Sequence, residues 1–177
     1  MEFITKSGKK LIIRPPTKAD FEKVYNFFIK LVGENTFILR APGDEPTLEE
    51  EKKWFDSKLE SIKKKKAIFL DVFFEESVVG SVSIEASEYR LKYVGEVGIS
   101  IAKDFRREGL GYKLLTEAEK EAKKLGLKIL RLDVYGINNF AQGLYKKAGF
   151  KKYGNLPKSI QYKGKFVDDL CMYKKIG

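Results

Sequence analysis

Apolar residues recur along the chain with two periods, and the switches between them divide it into strands and helices. Residues 10–14 (KLIIR) form a short run that stops at Pro15-Pro16, as an edge strand does. Phe21, Val24, Phe28, Leu31 and Val32 then recur at helical spacing, behind Thr17 and Asp20 at capping-box spacing, and Gly33 is placed to end that helix. A second capping box, Thr47 and Glu50, opens a second helix with Leu48, Glu51, Phe55, Leu59 and Ile62 on one stripe. Lysines 63–66 close it as a C-terminal turn favoured by the helix dipole. Residues 33–46, between the two helices, carry no period, and irregular stretches of this length are often functional.

Residues 68–74 and 78–84 are β-rich runs separated by Glu75-Glu76-Ser77, which predicts a hairpin. Residues 93–101 alternate, with Tyr93, Gly95, Val97, Ile99 and Ile101 on one face. From Gly109 a strong helix begins, with Leu110, Leu114, Leu115, Ala118, Ala122 and Leu125 as its apolar face and Gly126 at its end. Residues 128–134 form another strand. Asn138 or Asn139 caps a shorter helix through Ala148, and Gly149 ends it. Residues 159–162 and 166–173 flank Lys163-Gly164-Lys165 as a second hairpin. The order is β-α-α-β-β-β-α-β-α-β-β, an α/β chain with a mixed sheet. The strand–helix–strand unit between residues 93 and 134 implies one parallel pair. With no repeat or linker in view, residues 1–177 are expected to form a single domain.

Composition narrows the chemistry. At 43% hydrophobic, the chain can bury a real core. Its net charge is +10, carried by 29 Lys and 6 Arg against 25 acidic residues. Such a surface attracts phosphates, nucleic acid or acidic proteins, or simply keeps the protein in solution. The single cysteine, Cys171, excludes an internal disulfide and suits a reducing, cytoplasmic setting. No set of four Cys and His exists for a structural zinc, so no metal is expected. The first ten residues are mixed and charged, unlike a signal peptide, and no segment is long and apolar enough for a bilayer. There is no histidine at all, so acid–base work falls to carboxylates, Tyr, Lys, Cys or water, and Ser-His-Asp and Cys-His hydrolases are excluded.

The informative stretch is residues 99–113 (ISIAKDFRREGLGYK), where a strand runs through a charged loop into a helix. The first turn of a helix exposes unpaired N–H groups and a positive dipole end. Gly109 and Gly111 remove side chains there, and Arg106, Arg107 and Lys113 add charge, so an anion can approach the backbone. Glu108 is an unfavourable neighbour unless it points away. A Walker loop is absent, and a dinucleotide fingerprint would need glycine where Leu114 stands.

Arg106-x-x-Gly109-x-Gly111 resembles the acetyl-coenzyme A loop, Q/R-x-x-G-x-G/A, of the GNAT superfamily of N-acetyltransferases. Residues 138–150 (NNFAQGLYKKAGF) resemble that family's next motif at Asn138, Ala141, Leu144, Tyr145, Lys147, Gly149 and Phe150. The spacing between the motifs and the order of elements agree as well. The tail, Tyr162 through Met172, is similar to the branch that acts on free amino acids or on protein N-termini, including ribosomal proteins.

The resemblance implies a set of roles. Ile99, Ser100 and Ile101 would pair through their backbone with the pantetheine arm. Arg106, Arg107, Glu108, Gly109, Leu110, Gly111 and Tyr112 would form the pyrophosphate loop. Asn138 would touch the cofactor, or cap its helix, or do both. Tyr145 would protonate the leaving thiolate, the alternative being a core aromatic. Glu96, on the strand face shared with Ser100, is the candidate base, the alternative being a solvated or lysine-paired carboxylate. Cys171 suits a small core residue better than a nucleophile. The implied reaction is direct attack by a primary amine (a small amine, an amino acid or a protein N-terminus) on acetyl-coenzyme A, without an acyl-enzyme. The expected partners are that donor and an amine acceptor, with no membrane, no nucleic acid and a possible homodimer through the tail hairpin. Glu34, Asp44 and Glu45 in the first loop offer charge to a cationic amine or to solvent. Two other readings compete: an acyl-coenzyme A sensor without catalysis, and a basic RNA- or ribosome-associated module.

Overall fold

The computed structural model of the chain describes residues 1–177. Its strands are β1 (Glu2–Ile4), β2 (Lys10–Arg14), β3 (Ala67–Phe74), β4 (Ser77–Ala86), β5 (Val94–Ile101), β6 (Ile129–Tyr135), β7 (Lys151–Tyr162) and β8 (Lys165–Lys175). Its helices are α1 (Phe21–Gly33), α2 (Leu48–Lys63), α3 (Leu110–Lys124) and α4 (Asn139–Lys147). All eight strands join one sheet in the order β1-β2-β3-β4-β5-β6-β8-β7. Every neighbour is antiparallel except the β5–β6 pair, which is the expected βαβ unit. No helix is long and apolar enough to cross a membrane.

Register separates the two faces of the sheet, because residues directly opposite one another share a face. Leu70, Val82 and Ile99 form one such row, and Ile68, Ile84 and Val97 another. This face is covered by α3, whose Leu110, Leu114, Leu115, Ala118 and Ala122 are buried in the same core. The opposite face carries Phe69, Asp71, Ser81, Ser83, Glu96 and Ser100 and lies under α1 and α2, where Trp54 meets Phe69 edge-on at 6.2 Å.

Several local features differ from the sequence expectation. The structure adds β1, which pairs with β2 through Glu2↔Ile12 and Ile4↔Lys10. Gly33 lies inside the last turn of α1, and Asn35 takes the left-handed position beyond it at φ 45°. Phe27, not Phe28, is the buried phenylalanine of that helix, while Leu48 of α2 is exposed and Glu51 is buried. The tail hairpin is longer than expected: β7 begins at Lys151 and runs along the open edge of the sheet, kinked by register shifts at 152/154 and 156/160. Gly126 and Gly149 close α3 and α4 in left-handed conformations at φ 80° and 92°, as expected.

Candidate functional site

β5 and β6 pair only over Val94↔Ile129, Gly95↔Leu130 and Glu96↔Arg131. Beyond that rung β5 follows β4 and β6 follows β8, so the two parallel strands part and leave a gap in the sheet. Ser87 N donates to Val94 O at 2.8 Å and Ala102 N to Val79 O at 2.9 Å, which fixes the alternation along β5. Val94, Glu96, Gly98 and Ser100 bond to β4, and Val97, Ile99 and Ile101 turn their backbone N–H and C=O groups into the gap. Of the three residues named for backbone pairing, Ile99 and Ile101 therefore face the gap, and Ser100 is committed to β4. One gap-facing acceptor is already used: Arg106 Nε donates to Ile101 O at 2.8 Å.

The loop after β5 leads to a second set of open donors. Lys113 is the first residue of α3 whose N–H finds an acceptor, Gly109 O at 3.2 Å. The N–H groups of Arg107, Glu108, Gly109, Leu110, Gly111 and Tyr112 have no partner in the chain, and no side chain caps the helix. Six successive free amides at a helix start form a cradle for a polyanion. Two left-handed residues bend the backbone there, Arg107 at φ 64° and Gly109 at φ 82°.

The side chains of this loop divide into three groups. Glu108 turns away and accepts from Ser7 N at 3.0 Å, which holds its carboxyl below the usual range. Arg106 is engaged by Glu34 as well as by Ile101 O. Arg107 lies over the exposed ring of Phe140 at 4.5 Å, and Tyr112 is half-exposed beneath Lys147, whose Nζ is 5.3 Å from its ring. Gly111 has a packing reason of its own: a Cβ there would stand 2.8 Å from Leu144 Cδ2 and 3.4 Å from Ile101 Cδ1. A diphosphate fits this loop, because free amides, absent side chains and nearby cations coincide and the one carboxylate is occupied elsewhere.

α4 follows the far side of the gap and packs on α3. Asn138 caps it, its side chain accepting from Ala141 N at 3.1 Å. Tyr145 is buried, packs on Phe150 at 5.9 Å, and is pushed up to about 12 by burial alone.

On the α1/α2 face, Glu96 accepts from Arg131 Nη2 at 2.7 Å, both side chains about half exposed. A cleft of about 380 Å³ opens beside Glu96, with Ser83, Glu85 and Gly98 on its walls. Asp133 and Tyr135 continue the row along β6, opposite Cys171 and Asp169 of β8. Asp133 beside it raises the Cys171 thiol, and burial followed by Asp133 raises Asp169. Arg131, Asp133, Tyr135 and Asp169 were not singled out in the sequence. Their only signal there is the polar alternation of β6 and the acidic pair in β8.

Residues 34–47 fold over this face. Phe37 packs on Tyr135 at 5.5 Å and on Tyr162 at 5.1 Å. Tyr135 Oη donates to Ile38 O at 2.8 Å and Tyr162 Oη to Asn35 O at 3.2 Å. The three loop acids all have partners: Glu34 holds Arg106, Asp44 accepts from Ala41 N and Glu45 from Gly43 N.

The chain is similar to known acetyltransferases in both sequence and fold. The sequence profile of the acetyltransferase (GNAT) family matches residues 34–150, which include the gap strands, the amide cradle and α4. YwnH of Bacillus subtilis (strain 168), provisionally named a phosphinothricin acetyltransferase, is 26% identical over 160 residues, covering 89% of this chain and 94% of its own. A GNAT-family acetyltransferase from Streptococcus pneumoniae superposes with a TM-score of 0.85 at 29% identity, covering 94% of this chain and 99% of the other. The phosphinothricin acetyltransferase of Sinorhizobium meliloti, solved with acetyl-coenzyme A, shares the fold at TM-score 0.81 and 18% identity, over 94% of this chain and 89% of the other. The protein belongs to the acetyltransferase (GNAT) family and is an acetyl-coenzyme A-dependent N-acetyltransferase.

Proposed function

We propose that this chain transfers the acetyl group of acetyl-coenzyme A to a primary amine by direct attack, the acceptor being a small amine, a free amino acid or a protein N-terminus. The observation that carries the reading is the six free amides of residues 107–112 beside the open β5–β6 gap. The amides hold the diphosphate, and the backbone of Ile99 and Ile101 pairs with the arm that leads from it into the gap. Phosphinothricin, named for two of the relatives, is a free amino acid, which favours an acceptor of that kind. A cytoplasmic setting, with Cys171 reduced, completes this reading.

Acetyl-coenzyme A supplies an activated thioester when bound. The chain supplies position and proton handling. A free α-amine has a pKa near 8 and a lysine amine about 10.4, so the acceptor arrives largely as a cation. Glu96, at the edge of the cleft, takes that proton, through water where the acceptor is small. Asp133 and Asp169 supply negative charge for the arriving cation. Tyr145, protonated at any physiological pH, presents its O–H to the leaving sulfur, whose basicity the same dry environment raises. Holding two reactants together supplies most of the rate.

Calorimetric titration of acetyl-coenzyme A, followed by thiol release with amino acids, amines and N-terminal peptides, tests the reading. Saturable binding and amine-dependent thiol release support it. Binding without release from any amine leaves only the sensor, and no binding removes the donor site.

A further inference from the structure

The segment 34–38 touches both halves of the site. At its start, Glu34 Oε2 pairs with Arg106 Nη2, and Glu34 Oε1 accepts from Lys103 N at 3.4 Å. Arg106 in turn clasps Ile101 O, the end of β5. One residue on, Asn35 O accepts from Tyr162 of β7, and Phe37 and Ile38 are held by Tyr135 at the end of β6. β5 and β6 are parallel and part toward these C-terminal ends. The five residues therefore strap the mouth of the gap, from the amide cradle on one side to the Phe37–Tyr135–Tyr162 cluster on the other, which forms the acceptor wall on the reading above.

We propose that Glu34 is a positioning residue that couples the two half-sites. Resting on the donor-site reading above, it passes the order of the filled cradle to the acceptor wall. The link is short and stereochemically defined. A diphosphate on the 107–112 amides fixes the loop that carries Arg106. Arg106 fixes Glu34, a single ion pair away, and the peptide chain itself connects Glu34 to Asn35, Phe37 and Ile38. An acceptor packed against Phe37 and Tyr135 then meets a wall that the donor has already ordered, so each substrate tightens the other reciprocally.

The test uses ¹⁵N-labelled protein titrated with 3′-phosphoadenosine 5′-diphosphate. This nucleotide end of coenzyme A lacks the arm that enters the gap and so cannot touch the acceptor wall. In the native protein, amide resonances of residues 107–112 and of Asn35, Phe37, Ile38 and Tyr135 are expected to shift together. In Glu34→Gln the first set still shifts and the second stays in place, with the rest of the spectrum native. Arg106→Gln gives the same separation, and the double variant adds nothing to either single one. If only residues 107–112 respond in the native protein, or if the second set responds equally in Glu34→Gln, the coupling is overturned and the donor site stands. If residues 107–112 do not respond at all, the donor-site reading falls and takes the coupling with it.

Discussion

Glu96 and Arg131 face each other across the last rung of the parallel pairing, 2.7 Å apart, at the point where β5 and β6 separate. The carboxylate is thus held at the fork of the gap. An ion pair this exposed contributes little to stability, so its removal should be read in the chemistry. Glu96→Gln is expected to lower kcat by about 10²–10⁴, with donor affinity and melting temperature nearly unchanged. Steady-state rates beside calorimetry check this, and a normal kcat would reduce Glu96 to a surface partner of Arg131.

Tyr145→Phe removes one oxygen whose proton burial keeps in place up to a pKa of about 12. Turnover is expected to drop about 10²-fold while acetyl-coenzyme A binds as before. A loss of melting temperature without a loss of turnover would make the residue a core aromatic only.

Gly111→Ala should destabilise the fold by about 1–3 kcal/mol, because its Cβ would lie 2.8 Å from Leu144 Cδ2. Leu144→Ala in the same chain is expected to relieve the overlap, so the pair is non-additive in chemical denaturation. Gly109→Ala meets nothing closer than Phe3 at 3.8 Å. Its cost is the left-handed φ of 82°, and it is expected to weaken donor binding by bending the cradle.

Asp71 sits almost fully buried on β3, beside Arg14 and Ser81, and burial pushes its carboxyl up to about 6. A carboxyl with a folded pKa above its unfolded value of about 3.9 binds its proton more tightly when folded. Stability from this group is therefore full below about pH 4, lost as pH rises toward 6, and level above, a loss of about 3 kcal/mol. Arg14 keeps its other partner, Asp20, at 2.7 Å, whose carboxyl is strongly lowered and titrates below this window. Asp71→Asn should raise the melting temperature at pH 8 and leave it unchanged near pH 4. Thermal unfolding at the two pH values checks this.

What the sequence made legible follows from where the physics is local. Helix starts, helix stops and the amide cradle depend on residues within one or two turns, so Thr47, Gly109, Gly126 and Asn138 announced themselves. β1 and the first half of β7 did not. Residues 151–158 are polar and contain Gly154 and Pro157, and they form a strand because β8 templates them. The acceptor side is legible only in pieces: residues 33–46 and 153–165 stand out as candidate acceptor segments, but that Phe37 meets Tyr135 and Tyr162, both far along the chain, does not. In the sequence Arg106 is simply a cation beside the phosphate loop, and only the folded chain brings Glu34 to it.

Because the cradle is made of main-chain donors, it offers the donor none of the side chains that hang from it. Glu108 and Tyr112 can be exchanged while the amides stay in place, whereas positions 107 and 109 are held by their left-handed backbone, Leu110 by burial in the core and position 111 by packing. The acceptor wall proposed above is built from side chains, Phe37, Tyr135 and Tyr162, so on that reading substitutions there change what it accepts. The fold thus separates a half that tolerates mutational drift from a half that mutation readily retunes, and new acceptor specificities can evolve without the donor being lost on the way.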